Sequence, residues 1–267
     1  MPTIRNIFLL YEQGLEPLKP HISAAVDEMM DCFPEHKADY PITMLGTWRS
    51  DKYAYTNQRG NIVLRPYESV DWYIENARLA AVHEGRWQTR GQISATQLCQ
   101  DLIDDPYRAQ IPQWSVLITK HDLYGHIPDQ FGRLRKLNYC LGISQENKFS
   151  IISTARFLNA DNSLNIEGFK TVVMHEFGHL IGLTYEGRAN TNEELGSHCI
   201  NDGCIMQQRM DGDYSFLTRF RLEAKRRYNL PPICGDCIDA GNRFFARQRA
   251  AYNLTHGRSG IYTGPQR

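Results

Sequence analysis

Along the chain, apolar runs and polar turns alternate so that strands come first and then interleave with helices. Residues 6–13 (NIFLLYEQ) form a short apolar run broken by Gly14, which predicts a strand. Residues 22–33 carry apolar side chains at helical spacing, with Pro20 ahead of them and Pro34 stopping them. Residues 40–65 hold Tyr-, Thr- and Ile-rich pieces split by Gly46 and Gly60, enough for one or two short strands. Helices are predicted over 69–84 and 94–103, each headed by a serine (Ser69, Ser94) suited to the N-cap. Residues 115–124 read as an apolar strand running into polar residues, and 147–157 alternate as a strand with one exposed face should. Helical spacing returns over 165–182 and closes on Gly182. The elements add up to an α+β chain: an α/β-like N-terminal part, 1–182, and a looser, cysteine-rich part, 183–267.

With 267 residues the chain can bury a proper core, and 42% hydrophobic with 22% charged residues is ordinary for a globular protein. Thirty basic residues balance thirty acidic ones, which argues against nucleic acid or an anionic membrane as partner. The basic clusters at 219–227 and 243–249 read as solvated helix faces. No apolar run approaches the ~18–20 residues of a membrane span. The unbroken core Ile7–Leu10 is too short for a signal peptide. The expected compartment is therefore the cytoplasm, where cysteines stay reduced and serve metals or catalysis. Cys32, Cys99 and Cys140 are scattered among apolar neighbours and read as core residues, whereas Cys199, Cys204, Cys234 and Cys237 fall into two close pairs.

The stretch 174–186, MHEFGHLIGLTYE, carries the chemistry. On a helix, His175 and His179 lie one turn apart and present their rings to the same side, where one Zn²⁺ can bind both at ~2.0–2.1 Å. Glu176 is turned away from such an ion but within reach of its water, which suits a general base. Apolar neighbours (Val172, Val173, Leu180, Ile181) make this an improbable place for histidines without a metal. Gly182 can take the left-handed conformation that turns the chain sharply, the device by which HExxHxxGxxH proteins, the metzincins, return a third histidine to zinc. Tyr185 stands in that third slot, and a phenol is a poor replacement for imidazole. The next histidine is His198, reached after the polar excursion 183–197. Long loops cost little extra entropy, about 0.6 kcal/mol per doubling, so His198 is the expected third ligand and Tyr185 the rival.

Two thiolate pairs, Cys199/Cys204 and Cys234/Cys237, can give the tetrahedral S₄ coordination of a closed structural zinc. Disulfides, or a redox site at 234–237, are the alternatives. Such a zinc would staple a part of the chain that lacks apolar mass.

Together these motifs resemble the archaemetzincins, whose pattern runs HExxHxxGxxHC, four residues, CxM, about 17 residues, CxxC. Here the parts are HEFGHLIG (175–182), HC (198–199), INDG, CIM (204–206) and CGDC (234–237). The stretches 117–124 and 149–157 look like the two family strands before the active-site helix, so the resemblance covers roughly 115–237. It departs from the family in a longer stretch between Gly182 and His198 and a wider gap before Cys234. The resemblance implies a metzincin-like fold with a mixed twisted sheet and a small C-terminal subdomain. It further implies two zincs, one catalytic on His175, His179 and His198 and one on the four cysteines. Met206 becomes the methionine beneath the catalytic zinc, and the strand Lys148–Phe157 the exposed sheet edge for substrate. The expected activity is hydrolysis of peptide bonds, with Glu176 as general base, on a peptide or small-protein substrate, as an aminopeptidase or an endoprotease. The competing reading from another class is a non-catalytic module in which zinc organises a peptide-binding surface. The excursion 183–197 is expected to be either a lid over the cleft or a tolerated surface loop. Oligomeric state leaves no trace in the sequence.

Overall fold

A central strand buried on both faces organises the computed structural model. It describes residues 3–47, 53–56, 62–65, 70–104, 113–128, 134–159, 161, 163–185, 187–193, 197–208 and 214–256. The elements in chain order are β1 (Asn6–Tyr11), α1 (Lys19–Met30), α2 (Pro34–Lys37), β2 (Ile42–Gly46), β3 (Tyr53–Thr56) and β4 (Ile62–Arg65). Next come α3 (Val70–His83), α4 (Arg86–Arg90), β5 (Ile93–Ser94), α5 (Ala95–Ile103), β6 (Gln113–Thr119) and β7 (Leu123–Pro128). They are followed by β8 (Leu134–Cys140), β9 (Gly142–Gln145), β10 (Phe149–Ser153) and α6 (Ile166–Leu180). The C-terminal part holds β11 (Thr191–Asn192), β12 (His198–Cys199), α7 (Tyr214–Tyr228) and α8 (Gly235–His256).

The main sheet has the order β2-β1-β6-β10-β9. Its first four strands are parallel and β9 runs antiparallel to β10. Parallel strands need cover on both faces, and successive side chains supply it. Ile7, Leu9, Tyr11, Trp114, Val116 and Ile118 join a core with α1, α6 and α8. On the opposite face, Leu10, Leu117, Phe149 and Ile151 pack against α3 and α5. The first of these cores also takes in Leu183, Ile205, Met206, Phe244 and Phe245, so one apolar cluster runs from the sheet into the C-terminal part. A smaller sheet, β5-β7-β8, and the pairs β3-β4 and β11-β12 complete the strands.

The serine cap of α5 is present: Ser94 Oγ accepts from the Gln97 backbone N–H at 3.2 Å. Ser69, expected to cap α3, lies outside the described residues. Two expectations are corrected. The strand at 148–157 is not a sheet edge: β10 is paired with β6 on one side and β9 on the other, and β9 is the edge. The cause is the hairpin between them, where Asn147 takes a left-handed conformation (φ 62°) and Lys148 N–H donates to Gln145 at 3.1 Å. The C-terminal part is also more regular than a loose cysteine-rich tail, since α7 and α8 span 15 and 22 residues. Their buried faces are narrow stripes at helical spacing: Leu217, Arg221 and Ala224 on α7, and Cys237, Ala240, Gly241, Phe244 and Phe245 on α8.

Candidate metal centres

Helix α6 is set in place by its start. Asn165 Oδ1 accepts from Gly168 N–H at 2.9 Å, and Phe169, Val172, Val173 and Phe177 are buried beneath. Its spacing brings the rings of His175 and His179 together with centroids 4.7 Å apart. Each ring is aimed from behind. The Nδ1–H of His175 donates to the Ile205 carbonyl at 2.6 Å, which fixes the tautomer and leaves Nε2 as a bare lone pair. The Thr184 hydroxyl lies 2.9 Å from Nδ1 of His179.

The third imidazole is His198. Its ring centroid lies 5.2 Å from that of His175 and 4.7 Å from that of His179, and one ring nitrogen from each residue falls within 4.8 Å of the others. The sharp turn at Gly182 (φ +64°) makes this possible by returning the chain toward α6. The pairing of β11 with β12 then carries His198 in, opposite Asn192. Tyr185 instead lies beside α8, its ring 5.9 Å from the Arg247 guanidinium.

The three imidazoles fit a zinc ion. Burial and the neighbouring His198 lower the His175 pKa to about 3, and burial also holds His179 well below its ordinary value, so both rings are neutral at pH 7, the form a metal needs. Their Nε2 atoms face each other at 3.1 Å. Tetrahedral zinc with nitrogens at ~2.0–2.1 Å would set them roughly 3.3 Å apart.

Glu176 projects from the same helix into a buried niche and is 7% exposed. Burial pushes its carboxyl up to about 7, and the Ser144 hydroxyl, 2.7 Å from Oε2, works against that rise. Ser150 Oγ donates to the backbone carbonyl of Glu176 at 2.9 Å, tying α6 to β10. The niche exists because residue 142 is glycine: a Cβ there would lie 2.5 Å from Glu176 Cγ and 2.7 Å from Oε1. Met206 is wedged against α6, since a Cβ on Gly178 would meet its sulfur at 2.2 Å.

The four cysteines converge into a second group. Cys199 and Cys234 sulfurs are 3.6 Å apart, as are those of Cys204 and Cys237, and all four lie within 4.8 Å. No disulfide links any of the seven cysteines. Zinc–sulfur bonds of ~2.3 Å in tetrahedral array place sulfurs roughly 3.8 Å apart, so this donor set also fits zinc. Cys234 and Cys237 sit at the N-terminal end of α8, whose dipole favours thiolates. Sequence reasoning missed Ser144, Gly142, Thr184, the Ile205 carbonyl and Arg188. Of these, Thr184, two residues past Gly182, and Ile205, within CIM (204–206), stood in or beside a motif.

No protein-family model matches the chain, and no curated protein matches its sequence. Among solved structures it is similar to archaemetzincin from Methanopyrus kandleri, with 18% identity and a TM-score of 0.51, covering 91% of this chain and 96% of that one. It is also similar to archaemetzincin from Archaeoglobus fulgidus in complex with malonate: 15% identity, TM-score 0.42, covering 88% of this chain and 99% of the other. The likeness to the first shows the fold: this chain is built as an archaemetzincin is.

Proposed function

We propose that this chain, which has the archaemetzincin fold, is a zinc-dependent metallopeptidase that hydrolyses peptide bonds. The observation that carries this reading is the meeting of three imidazoles, from His175, His179 and His198, beside the buried carboxyl of Glu176. Zinc held by those rings would supply Lewis acidity, acidifying water and polarising a peptide carbonyl. Glu176, with a pKa near neutrality, takes a proton from the attacking water and hands it to the departing amine. Ser144 orients that carboxylate through its hydroxyl. The substrate adds as a further strand along β9, the edge that begins at the glycine facing Glu176.

The four cysteines hold a second, structural zinc with no open position. Seven free cysteines and the lack of any helix, among the described residues, long and apolar enough to cross a membrane support the cytoplasm as compartment. The even charge balance supports a peptide or small-protein substrate rather than nucleic acid or membrane.

The test is Glu176→Gln. Turnover of a peptide library should be abolished while elemental analysis still finds zinc at wild-type level. Retained hydrolysis would remove Glu176 from the mechanism. The cleavage sites made by the wild type separate trimming from the N-terminus from internal cutting.

A further inference from the structure

The excursion between Gly182 and His198 is neither a lid nor an idle surface loop in its described part. It is built onto the cysteine cluster. Arg188 is 6% exposed, and its Nη1 donates to Cys237 Sγ at 3.4 Å while Nη2 donates to the Asn190 carbonyl at 3.4 Å. Its Nε is buried without a hydrogen-bond partner among the described residues. The segment around it is pinned at several points: Arg188 N–H to the Tyr185 carbonyl at 3.2 Å, Thr191 Oγ1 to the Arg188 carbonyl at 2.6 Å, and Ile200 N–H to the Asn190 carbonyl at 3.1 Å. A lid would be free to leave. This segment has driven a guanidinium into the interior, which costs several kcal/mol unless a negative partner waits there.

That partner is the sulfur cluster, and each sulfur receives an N–H. Cys199 accepts from the Asn201 backbone at 3.4 Å and Cys234 from the Asn201 side chain at 3.2 Å. Cys204 accepts from the Cys234 backbone at 3.5 Å, and Cys237 from Arg188. Three of these donors are neutral amides; Arg188 is the charged one. Four thiolates around a divalent ion leave two negative charges in excess, and Asp236, bonded to Asn190 and Asn201 at the rim, adds to the negative side. A buried dianion needs a cation.

We propose that Arg188, delivered by the 183–197 segment, is the charge-compensating residue of the four-cysteine centre: it retains the zinc there and lowers the reactivity of the thiolates toward electrophiles. The proposal rests on the reading of that centre as a zinc site. Nitrogen–hydrogen bonds withdraw density from sulfur, and a guanidinium does so with a full charge. The same segment pairs with the strand bearing His198, through Asn192 opposite His198 and Thr191 opposite Cys199. Arg188 is thus a positioning residue that anchors the excursion at the end where it returns the third histidine.

The test uses the full-length chain. Zinc per chain is counted by elemental analysis in the wild type, Arg188→Gln, Arg188→Lys and Cys234→Ser. Zinc liberated by an organomercurial, which attacks thiolates rather than imidazoles, is followed with a coloured chelator. Arg188→Gln should release the thiolate-held zinc about 10–100-fold faster than wild type, the usual cost of losing an outer partner of a metal ligand. Arg188→Lys should fall between, since an ammonium keeps the charge and loses the planar fork. Release from Arg188→Gln at the wild-type rate overturns the proposal. If that variant is insoluble, Arg188→Met, which also removes the charge, decides in its place, and a rate equal to wild type overturns the proposal equally. A different result marks failure of the underlying reading: a wild type with one zinc or none, whose count Cys234→Ser leaves unchanged, overturns both.

Discussion

The hydroxyl of Ser144, on the edge strand of the sheet, stands 2.7 Å from Oε2 of Glu176, on the helix packed behind it. That contact joins the strand proposed to receive substrate to the carboxylate proposed to move its proton. It stabilises the ionised form, opposing the burial that raises the carboxyl to about 7. Ser144→Ala should therefore push the Glu176 pKa higher. A base must be ionised to act, so activity is lost as pH falls through this pKa, and the acidic limb of kcat/KM should move to higher pH in the variant. A bound zinc would lower the limb in both proteins alike, so the comparison between them keeps its sign. Matching profiles for the two proteins would show that the hydroxyl does not tune the base.

Gly142 gives the same niche a steric test. A methyl group there would overlap Glu176 Cγ, Cδ and Oε1 at 2.5–2.7 Å, well inside contact distance. Gly142→Ala should cut kcat by at least about 100-fold, since small misplacement of a catalytic group is costly. Zinc content should stay at wild-type level. Normal turnover would mean that the carboxylate works from another position.

His198 and Tyr185 are the two candidates for the third ligand position. With His198 at 4.7 Å from the ring of His179, and Tyr185 beside Arg247, the ring of residue 198 is the one placed to bind. Elemental analysis of His198→Ala should find one zinc fewer per chain than wild type, and Tyr185→Phe should lose none. The opposite pattern would reassign the ligand.

What was legible in the sequence is what is local. His175, Glu176 and His179 declare themselves by spacing on one helix, and Gly182 by the turn it permits. His198 needed elimination and a family pattern, because its position depends on a hairpin whose pairing no short window shows. Ser144 and Gly142 reach Glu176 from more than 30 positions away, through the order of strands in the sheet, which periodicity does not encode. The edge strand was misplaced for the same reason: residues 142–145 carry no strong alternation and are all half-buried. Of the C-terminal helices the sequence showed the basic faces at 219–227 and 243–249 but not the stripes they bury. On α7 the buried stripe includes a charged residue, Arg221, so the rule that places charge outside reads it wrongly.

A second carboxylate sets a dependence of stability on acid. Glu12, at the end of β1, is buried, which alone would raise its pKa. The His121 ring at 3.2 Å, the Thr119 hydroxyl at 2.8 Å and the Lys120 N–H at 3.0 Å outweigh this and lower it to about 2. A carboxyl whose folded pKa lies below its unfolded value adds stability above the unfolded pKa, and that stability fades as pH falls through the folded one. The drop from 4.5 to about 2 corresponds to about 3 kcal/mol at neutral pH. Glu12→Gln should lower the melting temperature at pH 7, and its gap to wild type should shrink between roughly pH 5 and pH 2. A gap independent of pH would assign the loss to shape rather than charge.

Arg221 offers the sharpest test of how α7 is held. Its side chain is 1% exposed, with Nη1 3.1 Å from both Glu28 oxygens on α1, Nη2 bonded to Glu167 at the start of α6, and Nη1 3.7 Å from Met174 Sδ. One guanidinium thus ties three helices, while Thr218 and Thr171 hydroxyls, 3.1 Å apart, add a second link between α7 and α6. Breaking a buried pair leaves an uncompensated charge and costs about 3–5 kcal/mol. Lys225, 3.4 Å from Glu28, can take over part of that charge, so Arg221→Met should fall near the lower end, about 3 kcal/mol by denaturant midpoint. Adding Glu28→Gln to Arg221→Met removes the stranded carboxylate and should recover part of the loss. If the double variant is as unstable as the two single losses summed, Arg221 and Glu28 are not coupled.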